Sequence, residues 1–553
     1  MNDRLRLPLP SAWMLIALTV ILAVGGALRL WGLSRTGLIH YDAAHYANAA
    51  KTPRLALRWW RTAPEDRPDL RTYLKDRGAI ARPAKLLHVA VLALASLVLG
   101  IRDNVVLIVS GVFSLLTLLF VYGFGRRLSG PAAGLCAAAC LAVSGSSVAF
   151  ARTGYPQAGA AFLVMLSTAY YLKSLAHPNR LPRSFLAAGG ISGVGVLMHP
   201  VAGLAIGSFI ISDFVQQQAW RSISAAKRWA FRTLALGALL VGPYLLITLA
   251  YAMASGQSVL MTDGYLARGV FRTSQAPQLL TAIQLARSGG WLGVVGENVR
   301  FLAHMFATLE TPVFYLAAIG GCALLGRRCF RSPEARLLLA QIVLAYLYGS
   351  LSYASLKSVH VVIPALAIAA GAALGHLVDR FKPAHRPFIV GGVVGIILAA
   401  GAWQVRPWVA YRTVYPEMTK QLVAYMREQG GRLCARDQEN LREHVSFYFG
   451  NAVDSLAPDF KGTIDLHGEG SDYAIIDYQR FSKSDPAKLE RLMSQHRVII
   501  DLEQVPRFLP IYHVHRAVPS AQWPSYQALL EGKDLSPSIR RLIVLDLRAG
   551  PKR

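Results

Sequence analysis

Long apolar runs, interrupted at intervals by short basic clusters, dominate the pattern of this chain. Stretches such as Trp13 to Leu28, Val105 to Val121, Ala230 to Leu249 and Pro387 to Ala402 carry few or no charges. Each approaches the roughly 17 to 25 residues that a membrane-spanning helix needs. Several such runs predict a bundle of spans rather than one anchor. Between them lie Arg126-Arg127, Lys173 to Arg183, Arg221 to Arg232, Arg327 to Arg336 and Arg380 to Arg386. The excess of Lys and Arg in inward-facing loops places these clusters on the cytoplasmic side. Successive clusters enclose apolar hairpins: 130–150 with 156–173, 184–198 with 200–214, 230–253 with 312–326, and 334–352 with 359–378. The hairpin tips therefore face outward, the N-terminus stays inside and 388–405 delivers the tail outside, giving about eleven crossings. The basic start, Met1 to Arg6, precedes an apolar stretch that runs to Trp31 without an Ala-x-Ala cleavage signal, and is read as an uncleaved first helix.

Ala84 to Gly100 is apolar as well, but counting it as a span would move Arg126-Arg127 outside and reverse every later assignment. It is short for a span, opens after Pro83 and carries His88, so an in-plane or re-entrant helix is expected. Between the first helix and this segment lies an outer loop, 34–83, with Trp59-Trp60, the acids Glu65, Asp66 and Asp69, and many Arg. Such residues suit the headgroup layer, where a ring or stem has one apolar and one wet side. A second outer loop, 254–309, ends in Val299 to Leu309, a further surface-lying helix before Pro312 opens the next span. Beyond Tyr411 the composition turns polar. Strand-like runs at Ala474 to Asp477, Val498 to Leu502 and Leu542 to Leu547 alternate with helical Glu417 to Gln429 and Lys488 to Gln495. The expectation is an all-α polytopic membrane bundle over 1–410, with in-plane outer helices, followed by a small extracytoplasmic α/β domain over 411–553.

Composition agrees: 54% of the 553 residues are hydrophobic and 16% charged, against about 25% charged in soluble proteins. The formal charge of +27 follows from topology. Basic loops facing anionic lipid gain about 1 kcal/mol per Lys or Arg, so membrane lipids are expected partners and nucleic acid is not. Five scattered cysteines form no disulfide framework or metal spacing. Cys136 and Cys140, one helical turn apart, suit close packing between helices. His513 and His515 share a strand face but have no further ligands nearby in sequence. Walker loops, dinucleotide fingerprints and zinc-protease motifs are absent, so no cofactor or metal is assigned.

Chemistry concentrates just outside the first helix, where Leu28-Arg29-Leu30 leads through Gly37 to Asp42-Ala43-Ala44-His45-Tyr46 and on to Ala50. Further along come Arg82-Pro83 through Leu99-Gly100, Tyr122 to Gly130, Ala151-Arg152-Thr153-Gly154, and Ser350 to Pro364 with Ser355-Leu356-Lys357 and Ile363-Pro364. In order, spacing and inferred sidedness these segments resemble GT-C glycosyltransferases of the protein mannosyltransferase and aminoarabinose transferase type, akin to glycosyltransferase family 39. In that family the first helix ends in a similar run, followed by an acidic motif, usually Asp-Glu-Ala-x-Tyr. The resemblance covers most of residues 10 to 410. Two carboxylates of the family pattern are missing: the second motif acid is Ala43, and Tyr155-Pro156-Gln157 stands where an acid often follows the outer arginine. His360 or Val361 stands near the usual tyrosine.

The resemblance implies a membrane glycosyltransferase that moves a hexosyl or pentosyl unit from a polyprenyl-phosphate carrier to an extracytoplasmic glycan, lipid or protein, with inversion. It further implies an inner (plasma) membrane location with the active site and tail outside. A polyprenyl phosphate is a competent leaving group, so the enzyme needs positive charge to receive it rather than a general acid. Asp42 is the expected base for the acceptor hydroxyl, with His45 orienting it. Arg82, Arg152 and Lys357 are the expected donor-phosphate ligands, and Tyr46 and His360 further substrate contacts. Two alternatives stay open: a non-catalytic relative that binds lipid-linked sugar, and a lipid or solute transporter, which usually shows internal repeats and paired broken spans.

Overall fold

The computed structural model describes residues 11–39, 41–77, 79, 85–175, 181–255, 291–351, 356–438, 441–453, 456, 460–466, 468–478, 486–503, 541–548 and 550. The membrane domain comprises α1 (Ala12–Leu30), α2 (Tyr41–Ala50), α3 (Thr52–Arg61), α4 (Leu70–Asp76), α5 (Leu86–Leu99), α6 (Asp103–Ala142), α7 (Gly145–Ala151), α8 (Gln157–Ser174) and α9 (Arg183–Met198). It continues with α10 (Leu204–Gln217), α11 (Ile223–Ser255), α12 (Trp291–Leu309), α13 (Pro312–Arg328), α14 (Pro333–Leu351), α15 (Leu356–Val359), α16 (Ile363–Val378) and α17 (Arg386–Ala410). Among the described residues, five stretches, 12–35, 103–142, 223–247, 360–378 and 383–429, are by themselves long and apolar enough to cross a membrane. Helices also form at every other expected span. The exposed side chains of α1, α11, α13 and α17 are large and apolar, Ile16, Leu234, Leu246, Leu316 and Phe388 among them, as a lipid-facing surface requires.

α6 is two arms of a hairpin. Ser129 and Gly130 leave helical geometry, Gly130 at φ 88°, a region open to glycine at little cost, and Pro131 starts the return arm. Polar contacts sort the turns into two ends. At one end Arg127 pairs with Glu334 at 3.0 Å, Arg328 donates to Ser129 Oγ and Arg336 to Gln216. At the other, Glu310 meets residues 144–146 and Lys357 meets Asp42. This is the partition that the basic clusters predict.

Small residues let the centre close. Cα-only surfaces at Gly371 and Gly375 of α16, a Gly-x-x-x-Gly pair, face Ala133 and Ala137 of α6; a Cβ at Gly371 would fall 2.7 Å from the Ala137 nitrogen. Such pairs bring helix backbones into contact where lipid offers no hydrophobic drive. Cys136 and Cys140 are fully buried in the same layer.

Outside the bundle, the loop expected over 34–83 is ordered into α2, α3 and α4. α5 runs 14 residues, about 21 Å at 1.5 Å per residue, short of the ~30 Å hydrocarbon core. Arg54 of α3 donates to the Ser96 and Leu97 carbonyls and so satisfies the free end of α5. α12 starts at Trp291, earlier than the expected 299–309, and its apolar stripe, Phe301, Leu302, Met305 and Phe306, is buried.

The C-terminal domain follows as α18 (Tyr415–Gln429), β1 (Gly431–Cys434), α19 (Arg442–Ala452), β2 (Gly462–Asp465), β3 (Tyr473–Asp477), α20 (Pro486–Gln495), β4 (Arg497–Glu503) and β5 (Arg541–Asp546). β5 lies between β3 and β4, antiparallel to both, while β1 and β2 form a separate parallel pair. All three expected strands and both expected helices are present; α19, β1 and β2 are additional. His513 and His515 lie outside the described residues.

Gly371→Ala is expected to destabilise the protein by about 1–3 kcal/mol, the usual cost of overpacking. Gly391→Ala on α17, where an added Cβ meets nothing within 4 Å, leaves stability unchanged. Thermal unfolding of both variants in one detergent checks this.

Candidate active site

The site is built on a break. After Ala142 the return arm of α6 stops and α7 begins at Gly145, deep enough that the freed backbone groups need partners from the protein. Arg29, fully buried on α1, donates to the Leu141 and Ala142 carbonyls at 2.8 and 2.6 Å and to Ser114 and Ser147. Glu310 accepts from the Ser144 hydroxyl at 2.9 Å and from the Gly145 and Ser146 amides at 3.0 and 3.2 Å. A cation thus closes the negative end of one helix and a carboxylate the positive end of the next.

α7 then delivers Arg152, Gly154 and Tyr155. Arg152 is buried, and its guanidinium donates to the carbonyls of Leu28, Trp31, Trp408 and Val409 and to Thr36 Oγ1. These oxygens end α1 and α17, so Arg152 ties the two helix ends together. Arg82, and Ser355 of the matching hairpin, lie outside the described residues.

Asp42 and Lys357 are brought together. Residues 41–50 are helical, with Asp42 in the first turn. Lys357 Nζ stands 3.4 Å from Asp42 Oδ2, with the lysine side chain 18% and the aspartate side chain 44% exposed. The ammonium also sits 4.4 Å above the Tyr155 ring, a cation–π contact. Burial pushes the Lys357 pKa down while Asp42 holds it up. Lys85, which sequence reasoning passed over, joins them: it feels the charges of both Asp42 and Lys357, and burial pushes its pKa down to about 8. Its backbone is left-handed, φ 56°, unusual for a residue with a Cβ. The signal available in sequence was its place three residues after Arg82.

Tyr46 packs edge-on against His88, centroids 5.2 Å apart, and His88 Nε2 meets the Gly154 carbonyl at 3.0 Å. His360 is buried, its ring 4.5 Å from Phe150. Ala43 is fully buried, so the position that holds the second acid of the family motif faces the core here. His45 turns to the outer domain: its Nδ1 lies 3.6 Å from Glu443 Oε1 of α19. Among the described residues, no three His, Cys, Asp or Glu side chains are grouped to hold a metal ion.

The model for dolichyl-phosphate-mannose-protein mannosyltransferases matches residues 82–247. No curated protein matches the chain. Among solved structures, ArnT from Cupriavidus metallidurans in the apo state aligns with a TM-score of 0.51 at 14% identity, covering 98% of this chain and 99% of that one. The oligosaccharyltransferase of Archaeoglobus fulgidus aligns with a TM-score of 0.53 at 12% identity, covering 87% of this chain and 71% of that one. The chain thus shares its helical membrane fold with these two solved structures along most of its length, and residues 82–247 match the mannosyltransferase family model.

Proposed function

We propose that this protein is a polyprenyl-phosphate-dependent membrane glycosyltransferase whose active site is the Asp42–Lys357–Lys85 cluster, at the extracytoplasmic surface. The observation that carries the reading is the Asp42–Lys357 pair, one exposed carboxylate beside one largely buried ammonium at 3.4 Å. Without substrate the two charges satisfy each other. A donor phosphodiester entering beside Lys357 and Lys85 draws the ammonium groups to its oxygens and frees the carboxylate. The acceptor hydroxyl oxygen then attacks the anomeric carbon from the face opposite the phosphate. Its proton passes to Asp42, the carbon–oxygen bond to the phosphate breaks, and polyprenyl phosphate leaves with its new charge held by the lysines. Attack from the opposite face inverts the anomeric centre. The acceptor is an extracytoplasmic glycan, lipid or protein. The basic clusters at the far end of the bundle support this orientation, with the outer domain on the same side as the site.

Purified protein incubated with radiolabelled polyprenyl-phosphate sugars is expected to release polyprenyl phosphate. Asp42→Asn, which keeps shape and removes the base, is expected to lower kcat by about 100-fold or more; equal release by both removes Asp42 from its role. Lys85 has its own signature. A phosphodiester donor keeps its charge across this range, whereas Lys85 loses its proton as pH rises through about 8, so the donor KM rises above that pH. Lys85→Arg, charged at all these values, is expected to move the rise to higher pH in the same assay.

A further inference from the structure

Helix α19 of the C-terminal domain packs two ways. Phe447 is buried with the membrane core, Val445 and Phe449 with the core of the C-terminal domain, and Tyr448 packs against both. The same helix meets α2, which carries Asp42. Asn48 Nδ2 donates to the Glu443 carbonyl at 2.8 Å and to Glu443 Oε2 at 3.2 Å, and Lys51 Nζ donates to the Ser446 carbonyl at 3.3 Å. These bonds hold the second half of α2 and the residue after it. Asp42 lies at the other end, in the first turn, where the chain entering the helix sets its place.

Tyr448 holds that entering chain. Thr36 is anchored first, its carbonyl accepting from the Thr413 amide at 2.8 Å and its hydroxyl oxygen from Arg152. Gly37 then turns with φ 72°. A Cβ there would fall 3.1 Å from Tyr448 Oη and closer still to Thr413 Oγ1, so space as well as backbone geometry calls for glycine. Beyond the turn, fully buried Leu38 donates its amide to Tyr448 Oη at 2.7 Å. That hydroxyl donates in turn to Asp103 Oδ2, 3.2 Å away at the start of α6. Donating to a carboxylate makes the phenol oxygen a better acceptor for the amide, and Asp103 Oδ1 is itself held by the Asn104 amide at 2.8 Å. One hydroxyl therefore joins the C-terminal domain, the entry to α2 and the start of α6.

We infer that Tyr448 is a positioning residue for the transfer reaction: by holding Leu38, four residues before Asp42, it sets where α2 begins and so where the Asp42 carboxylate stands relative to Lys357. This rests on the glycosyltransferase reading of the Asp42 site. The Asp42 side chain is 44% exposed and meets Lys357 at 3.4 Å, so its place is inherited from the backbone more than from packing around the carboxylate. The Leu38 bond acts on the Asp42 side of the Gly37 turn, where a small displacement passes directly to the helix. Misplacing a reacting group by about 1 Å can cost roughly 100-fold in rate.

The test is steady-state kinetics of the full chain in detergent with polyprenyl-phosphate sugar donors, comparing wild type, Y448F, D103N and the double variant. Y448F keeps the ring, which lies edge-on to Phe447, and removes the hydroxyl. It is expected to lower kcat about tenfold or more while the donor KM stays within about twofold, because the lysines proposed to receive the phosphate are left in place. D103N replaces a charged acceptor by a neutral one of the same shape and is expected to lower kcat about threefold or more. Since both act through one hydroxyl, the double variant is expected to be no slower than Y448F alone. Y425F is the matched control: it removes a tyrosine–carboxylate bond of the same 3.2 Å, to Asp546, within the C-terminal domain, and keeps full kcat. Should Y448F fail to fold, D103N set against Y425F decides. An active wild type overturns this inference alone if Y448F or D103N is unimpaired, if the loss falls on the donor KM, if the losses add in the double variant, or if Y425F is impaired as much as either. A wild type that turns over no donor overturns the glycosyltransferase reading and this inference with it.

Discussion

The gap between α6 and α7 is the constraint on which the rest of the structure depends. A helix interrupted inside a membrane protein exposes carbonyls at one end and amides at the other, and lipid can satisfy neither. Arg29 and Glu310 complete both sets, and in doing so they fix α1, the outer end of α12 and the α7 turn relative to one another. Everything at the site hangs from that turn. Arg152 at its end ties together the last carbonyls of α1 and α17, Gly154 receives His88 of α5, and Tyr155 supports Lys357. Removing either closing charge leaves the backbone groups at its own end of the break unpaired, at about 1–3 kcal/mol for each buried group.

A division of labour follows among the buried charges. Those whose hydrogen bonds go to backbone atoms, Arg29, Arg152 and Glu310, build the scaffold. Asp42 and Lys357 instead face one another across 3.4 Å with part of the carboxylate exposed, and in the proposed reaction they exchange partners when a donor phosphate arrives. The C-terminal domain meets the helix that carries Asp42 through α19, by way of Asn48 and Lys51.

Much of the fold was legible because hydropathy and charge are sums over many residues. The spans, the hairpin at Gly130 and the grouping of turns into two ends all follow from such sums, and the short segment at 86–99 was separated from the spans by charge balance. The ordered motifs single out both Asp42 and Lys357, and the fold brings these two side chains together across 315 residues of sequence. The carbonyl partners of Arg152 were not legible, because an arginine at a hairpin tip suits a phosphate or a set of helix-end carbonyls equally well. The choice depends on which carbonyls are left unpaired at Trp31 and Trp408, a property of tertiary packing. The contact between Glu443 and Asn48 was illegible for the same reason: Glu443 lies in the part of the chain with no motif, 395 residues from Asn48.

The most direct test of the account is to locate the phosphate of a bound short-chain polyprenyl phosphate by electron cryomicroscopy of the full protein. The account predicts phosphate density against Lys357 and Lys85, with Asp42 released from Lys357. Density at the opposite end of the bundle, beside Arg232 and Arg336, or an Asp42–Lys357 pair left intact with the lipid bound elsewhere, would contradict it.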